Sequence, residues 1–191
     1  MAKIGLSQSF YAKYTYNNGA VSYSSGASMG KAVECEIELE DSDTVVFYAD
    51  NGPAESVAAF GGGTLTITND SMPINTIAAL MGLTPVATSS PDGNTLTFPG
   101  DLTPPYVGYG TVAKMVVSNS ITWRALLLPK VQFQIPADSF QTQEETIEFS
   151  GHELTAKIMR SDAATNPWKI YADFTSEANA VAWLKAQLSI T

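Results

Sequence analysis

Apolar and polar residues alternate most strictly over residues 32–40, AVECEIELE, where Val33, Cys35, Ile37 and Leu39 interleave with Glu34, Glu36, Glu38 and Glu40. Successive side chains on a strand point to opposite faces, so this segment is expected as β with one apolar face and one carboxylate face. A helix would mix the two sets around its circumference. Carboxylates two residues apart sit ~7 Å from one another, which costs roughly half a kcal/mol per pair in water. That is tolerable at a wet surface and intolerable in a core, so the glutamate face must meet solvent or something it is meant to repel.

The same reading extends along the chain. Residues 1–30 carry Tyr11, Tyr14, Tyr16 and Tyr23 around a turn at Asn17-Asn18-Gly19, which predicts a hairpin or an arm with aromatic anchors. After the glutamate strand, Thr44 to Tyr48 and Glu55 to Phe60 read as short strands around turn residues Asp50-Asn51-Gly52-Pro53. Thr64 to Thr68 alternates again. Asp70 or Ser71 is placed to cap a helix with Pro73 in its first turn, ending at Gly82, with Ile74, Ile77, Leu80 and Met81 on one face. From Thr95 to Phe149 the pattern is strand and turn: NTLTF, YVGYGTVAKMVV, ITWRALLLPKVQFQI and TIEFS. Pro129 within the third run implies an edge position or a bulge. His152 to Met159 and Trp168 to Phe174 are the last strands. Thr175 or Ser176 then caps a terminal helix that buries Val181, Leu184 and Leu188. The layout is a single α+β domain over residues 1–191, mostly antiparallel β.

Composition narrows the function classes. The chain has 191 residues, 45% apolar and only 15% charged, which suits a folded domain with a full core and not a disordered one. Its net charge is −9, and eight of its nineteen acids fall between Glu34 and Glu55, an interval without Lys or Arg. Tight binding to nucleic acid through phosphates needs clustered cations, so adhesion to DNA is not expected. The N-terminal stretch lacks the continuous apolar run of a signal peptide and no segment approaches a membrane span, so folding in a cytoplasm is expected.

Candidate chemistry is sparse. The segment SGASMGKA resembles a phosphate-binding loop but has Ser25 where the first glycine belongs and Ala32 in place of the Ser or Thr, and a strand follows it. Cys35, the single cysteine, is expected as a buried thiol. His152, the single histidine, adjoins Glu153, but neighbours on a strand face opposite ways and would not cooperate as a base pair. Trp123, Trp168 and Trp183 fall in strand or helix patterns and are expected in packing roles. The acidic ladder cannot wrap a calcium ion from one strand face. No enzyme activity, cofactor or metal is expected.

The order of segments resembles the major tail protein family of long, non-contractile-tailed bacteriophages. The likeness runs from MAKIGLSQSFYAKYT through GKAVECEIELE, the FYADN turn with Ala54 and Glu55, GGGTLTIT before the helix ending LMG, PPYVGYGTV and LLLPKVQFQIPADSFQTQEETIEFSG to the terminal helix. Residues 84–100 and the stretch SDAATNPWK depart from it as variable loops. The resemblance implies a two-layer antiparallel β-sandwich or barrel with a flanking helix and a C-terminal helix. Copies would close as hexameric rings stacked into a tail tube, a virion component assembled in a host cytoplasm. Double-stranded DNA would pass through it without specific binding. The partners implied are further copies of the chain and the tape-measure, tail-terminator and tail-tip proteins. A tube of a related secretion or prophage-derived apparatus, or a monomeric β-sandwich binding module, are the alternatives.

Within that frame, Glu34, Glu36, Glu38 and Glu40 are candidates to line the channel, where a six-fold ring would present about 24 carboxylates to passing phosphates. Residues 41–63, with Val45, Phe47, Tyr48, Asp50, Val57 and Phe60, are the candidate subunit interface: a protruding loop whose apolar residues a lone monomer would bury poorly. The Tyr-rich arm is the second candidate.

Overall fold

The computed structural model describes residues 2–40, 45–49, 52–57, 60–89, 92–117, 120–137 and 151–191. The first long strands, β1 (Ala2–Asn17) and β2 (Ala20–Leu39), form a hairpin, so residues 1–30 belong to the central sheet as far as they are described. Asn17 pairs with Ala20 across a two-residue turn in which Asn18 and Gly19 have φ of 50° and 82°. This is the left-handed pair of a primed hairpin turn, whose twist matches that of the flanking strands and which Asn-Gly adopts most readily.

Short hairpin strands β3 (Val45–Ala49) and β4 (Gly52–Val57) follow, then β5 (Gly63–Asn69), α1 (Ile74–Met81), and a second short hairpin of β6 (Val86–Ser89) and β7 (Asp92–Thr95). Next come β8 (Tyr106–Val117), β9 (Ser120–Phe133), β10 (His152–Met159), β11 (Ile170–Phe174) and α2 (Glu177–Gln187). The main sheet runs β10-β5-β2-β1-β8-β9, and β9 pairs back to β10 to close a six-stranded antiparallel barrel. The fold is therefore α+β and mostly β.

One strand makes closure possible. β9 pairs with β11 over residues 123–127 and with β10 over residues 130–133, and Pro129 lies at the change of partner. Proline has no N–H to contribute to a ladder, so it is tolerated where neither neighbour needs one. On its other side β9 shifts register against β8 between the Val107 and Tyr109 pairs, which makes the expected bulge. The Tyr23 hydroxyl donates to the Pro129 carbonyl at 2.9 Å and ties the bulge to β2.

The barrel interior is filled by Met29, Leu65, Ile67, Tyr109, Leu128, Val131, Phe133 and Ile158, with Leu80 and Met81 of α1 in the same cluster. Helix α1 starts later than its expected caps. Pro73 occupies its N-cap position without a side-chain bond, while the Asp70 carboxylate accepts from the Lys31 backbone N–H at 3.1 Å. Its buried residues are Thr76, Ala78, Leu80 and Met81, so Ile74 and Ile77 are only half-buried. Gly82, at φ 70°, ends it as expected. The NTLTF strand is not formed as read: β7 ends at Thr95, and Phe98 lies exposed beyond it. TIEFS lies outside the described residues.

A second core lies outside the barrel, where α2 covers β1, β8 and β9 with Ala180, Leu184 and Leu188 against Phe10, Ala12, Val112, Ala125 and Leu127. Ser176 caps this helix, accepting from the Asn179 N–H at 3.3 Å. The VGYG segment explains the close fit. Tyr109 points inward and is fully buried, whereas Gly108 and Gly110 face α2, and a Cβ at Gly108 would stand 2.5 Å from the Tyr23 ring and 2.8 Å from Leu188. Gly108→Val should therefore lose roughly 1–3 kcal/mol of unfolding free energy by overpacking. Urea unfolding checks this, and an unchanged midpoint would show that α2 does not sit on these glycines.

Candidate acidic face and assembly surface

The alternation of β2, β5 and β10 decides what the barrel shows to solvent. Cys35 and Ile37 of β2 pack toward the interior cluster, as do Leu65 and Ile67 of β5 and Leu154, Ala156 and Ile158 of β10. The opposite face carries Glu34, Glu36 and Glu38, paired across the sheet with Thr68, Thr66 and Thr64. Those threonines pair in turn with Glu153, Thr155 and Lys157. All three β2 glutamates are exposed, and so is Glu40, just past the strand end.

Glu40 differs from the other three. Its backbone N–H donates to the Gly62 carbonyl at 3.1 Å, and its carboxylate accepts from Lys157 Nζ at 2.6 Å. Both side chains are about half exposed, so the pair contributes no more than about 1 kcal/mol. Glu34, Glu36 and Glu38 have uncharged threonines as cross-strand neighbours, and Glu153 joins the same face beside Thr68. The pattern HELTAKIM contains the signal for Glu153 and Lys157, because its alternation already separates Glu153, Thr155 and Lys157 from Leu154, Ala156 and Ile158. His152 is exposed at the start of β10, one residue out of phase with Glu153.

Two of the residues expected on the inner face of β2 are not there. The register shifts between Ala32 and Glu34, which leaves Val33 in a bulge and 61% exposed, and Leu39 is 55% exposed at the last β2–β5 pair, opposite Gly63. Cys35 is half-buried, in hydrogen-bonding contact with the Tyr109 hydroxyl. That hydroxyl also lies 3.2 Å from Ser9 Oγ, and burial, foremost, pushes its ionisation well above the ordinary tyrosine range.

The candidate interface segment forms the β3–β4 hairpin. Val45 pairs with Val57 and Tyr48 with Pro53, with a register shift after Phe47. Among the described residues these two strands pair only with each other. Asp50 lies outside the described residues. Phe60 is half-buried and stacks on Trp168 of the same chain, with ring centres 4.4 Å apart and planes 7° from parallel. Trp123 and Trp183 are also half-buried, packed against the α2 cluster. Among the described residues no three His, Cys, Asp or Glu side chains form a metal-ligand set, and no helix is long and apolar enough to cross a membrane.

A polar cluster that the sequence reading missed fastens the loop after β10 to the barrel. Asp162 accepts from Lys130 Nζ at 2.7 Å and from the Tyr14 hydroxyl at 2.8 Å, and its backbone N–H donates to that hydroxyl at 2.9 Å. The bonds from Lys130, first, and Tyr14 hold the Asp162 carboxyl below its ordinary value of 3.8. A depressed carboxyl stabilises the fold fully above the unfolded value and loses that contribution as pH falls through the folded value. Asp162→Asn should thus be less stable than the parent chain near neutral pH. The gap should narrow once the pH drops below about 4 and vanish in stronger acid. Thermal melts across that range measure it, and a constant gap would mean that the charge of Asp162 plays no part. No protein-family model matches this chain, and no curated protein matches it.

Proposed function

We propose that this chain is a structural tube protein of the phage-tail kind, whose copies associate into rings that stack as a conduit for double-stranded DNA. The observation that carries the reading is the exposed row Glu34, Glu36 and Glu38, each set beside a threonine instead of a cation. A conduit must not hold what passes through it. Carboxylates on its wall repel phosphates from every side, and screening over ~8 Å at physiological salt confines the repulsion to DNA near the wall. The β3–β4 hairpin supports the reading, since among the described residues its strands pair only with each other and leave their outer edges to another partner. The segment order described above, from MAKIGLSQSFYAKYT to the terminal helix, supports it too.

Two experiments test it. Purified protein at high concentration should form rings or tubes in negative-stain micrographs. Replacing residues 45–57 by a short Gly-Ser linker should leave a folded monomer that forms neither, because among the described residues the barrel makes no strand pairing with that hairpin. The chain should also fail to retain duplex DNA at about 0.15 M salt, whereas Glu34→Lys, Glu36→Lys and Glu38→Lys together should create binding that falls steeply with added salt. A parent chain that stays monomeric at every concentration and grips duplex DNA would end the proposal in favour of a monomeric binding module.

A further inference from the structure

Along β11 and the segments packed beside it, cations and rings alternate in an unbroken ribbon. Arg160 lies 5.9 Å from the Phe60 ring, and Phe60 stacks on Trp168. Lys169 Nζ stands 4.3 Å from the Trp168 ring and 4.9 Å from that of Tyr171, over which Arg124 sits at 5.1 Å. Arg124 is neutralised by Asp173, which it grips with two bonds of 2.6 and 2.7 Å. Arg160 donates to the Phe60 carbonyl, but among the described residues neither it nor Lys169 meets a carboxylate. Tyr171 is 52% exposed. Among the described residues, Arg160 and Lys169 are thus cations joined by aromatic faces and without a carboxylate partner, in a chain with ten Lys and Arg against nineteen acids.

The same chain carries the matching charge elsewhere. Residues 41–57 hold Asp41, Asp43, Asp50 and Glu55 and no Lys or Arg. We propose that the ribbon Arg160–Phe60–Trp168–Lys169–Tyr171–Arg124 is the docking surface for this acidic segment of a second copy. The cations meet its carboxylates, and the exposed Tyr171 supplies apolar contact area at low entropic cost. Ribbon and segment are made of different residues, so the contact is head-to-tail and propagates into closed rings or open filaments instead of stopping at a dimer. The inference rests on the self-assembling reading above and adds the receiving surface to it.

Charge reversal on each side tests it. Lys169→Glu with Arg160→Glu, or Asp41→Lys with Asp43→Lys, should each weaken self-association more than about tenfold. Mixing the two kinds of reversed copy should restore it. Lys169→Gln should give a smaller loss, and melting curves of dilute protein should show all variants folded. Added salt should weaken parent assembly and, by screening the introduced repulsion, should not weaken that of the Lys169→Glu, Arg160→Glu variant any further.

Parent tubes that persist unchanged in the ribbon variants would overturn the docking surface and leave the tube reading standing. If the parent forms no tubes, zero-length carbodiimide coupling of isotopically mixed copies decides the matter. Lys169 joined to an acid of residues 41–57 on another copy upholds the surface while the tube reading falls. Coupling within single chains only, or none, overturns the surface. Binding of single-stranded DNA that Lys169→Glu abolishes would assign the ribbon to nucleic acid and likewise overturn the proposal.

Discussion

Everything in this molecule depends on β9 serving two partners. Over its first half it carries β11, which gives α2 a wider floor to rest on. Over its second half it meets β10 and closes the barrel. Closure removes free edges along the joined stretch and leaves one continuous interior in which Leu65, Ile67, Leu128, Val131, Phe133 and Ile158 exclude water. Pro129 marks the handover, and the bond from Tyr23 anchors it from the opposite hairpin. Without that change of partner, β9 could complete either the sheet under α2 or the barrel, but not both.

Strict closure also sorts the charges. Once the interior is apolar, every charged group on β2, β5 and β10 must face outward, and the β2 glutamates and the β11 cations then fall on separate parts of the exterior. The glutamates lie across from threonines, with Lys157 compensating only Glu40. The cations gather against aromatic rings along β11 and the segment before it. Separation of this kind does little for the stability of the fold, since exposed pairs contribute little. Its physical meaning lies in orientation, because a molecule with unlike faces presents a different surface to whatever approaches from each side.

Much of this was legible in the sequence where a local rule applies. Alternation located β2, β5, β8 and β10 and the outward face of Glu34, Glu36 and Glu38, and turn chemistry located the Asn18-Gly19 hairpin. Pro129 announced its own bulge. What stayed hidden depends on partners distant in the chain. The bulge that expels Val33 comes from the register of β2 against β5, and α1 begins late because the carboxylate of Asp70 is engaged by Lys31. The Tyr14–Lys130–Asp162 cluster and the cation–aromatic ribbon each join segments that no periodicity connects. Reading them would have required the barrel's closure in advance.

The central pairing has a kinetic consequence. Tyr11 lies beside Tyr109 in the β1–β8 ladder, so the middle of the barrel joins residues about a hundred positions apart. Such long-range pairing must close a large loop before any contact rewards it, which places folding in the millisecond-to-second range typical of barrels instead of the microseconds of helical bundles. Until that loop closes, the facing edges of β1 and β8 stay unpaired, so each newly made chain passes through a stage in which these long strands are open to wrong pairing.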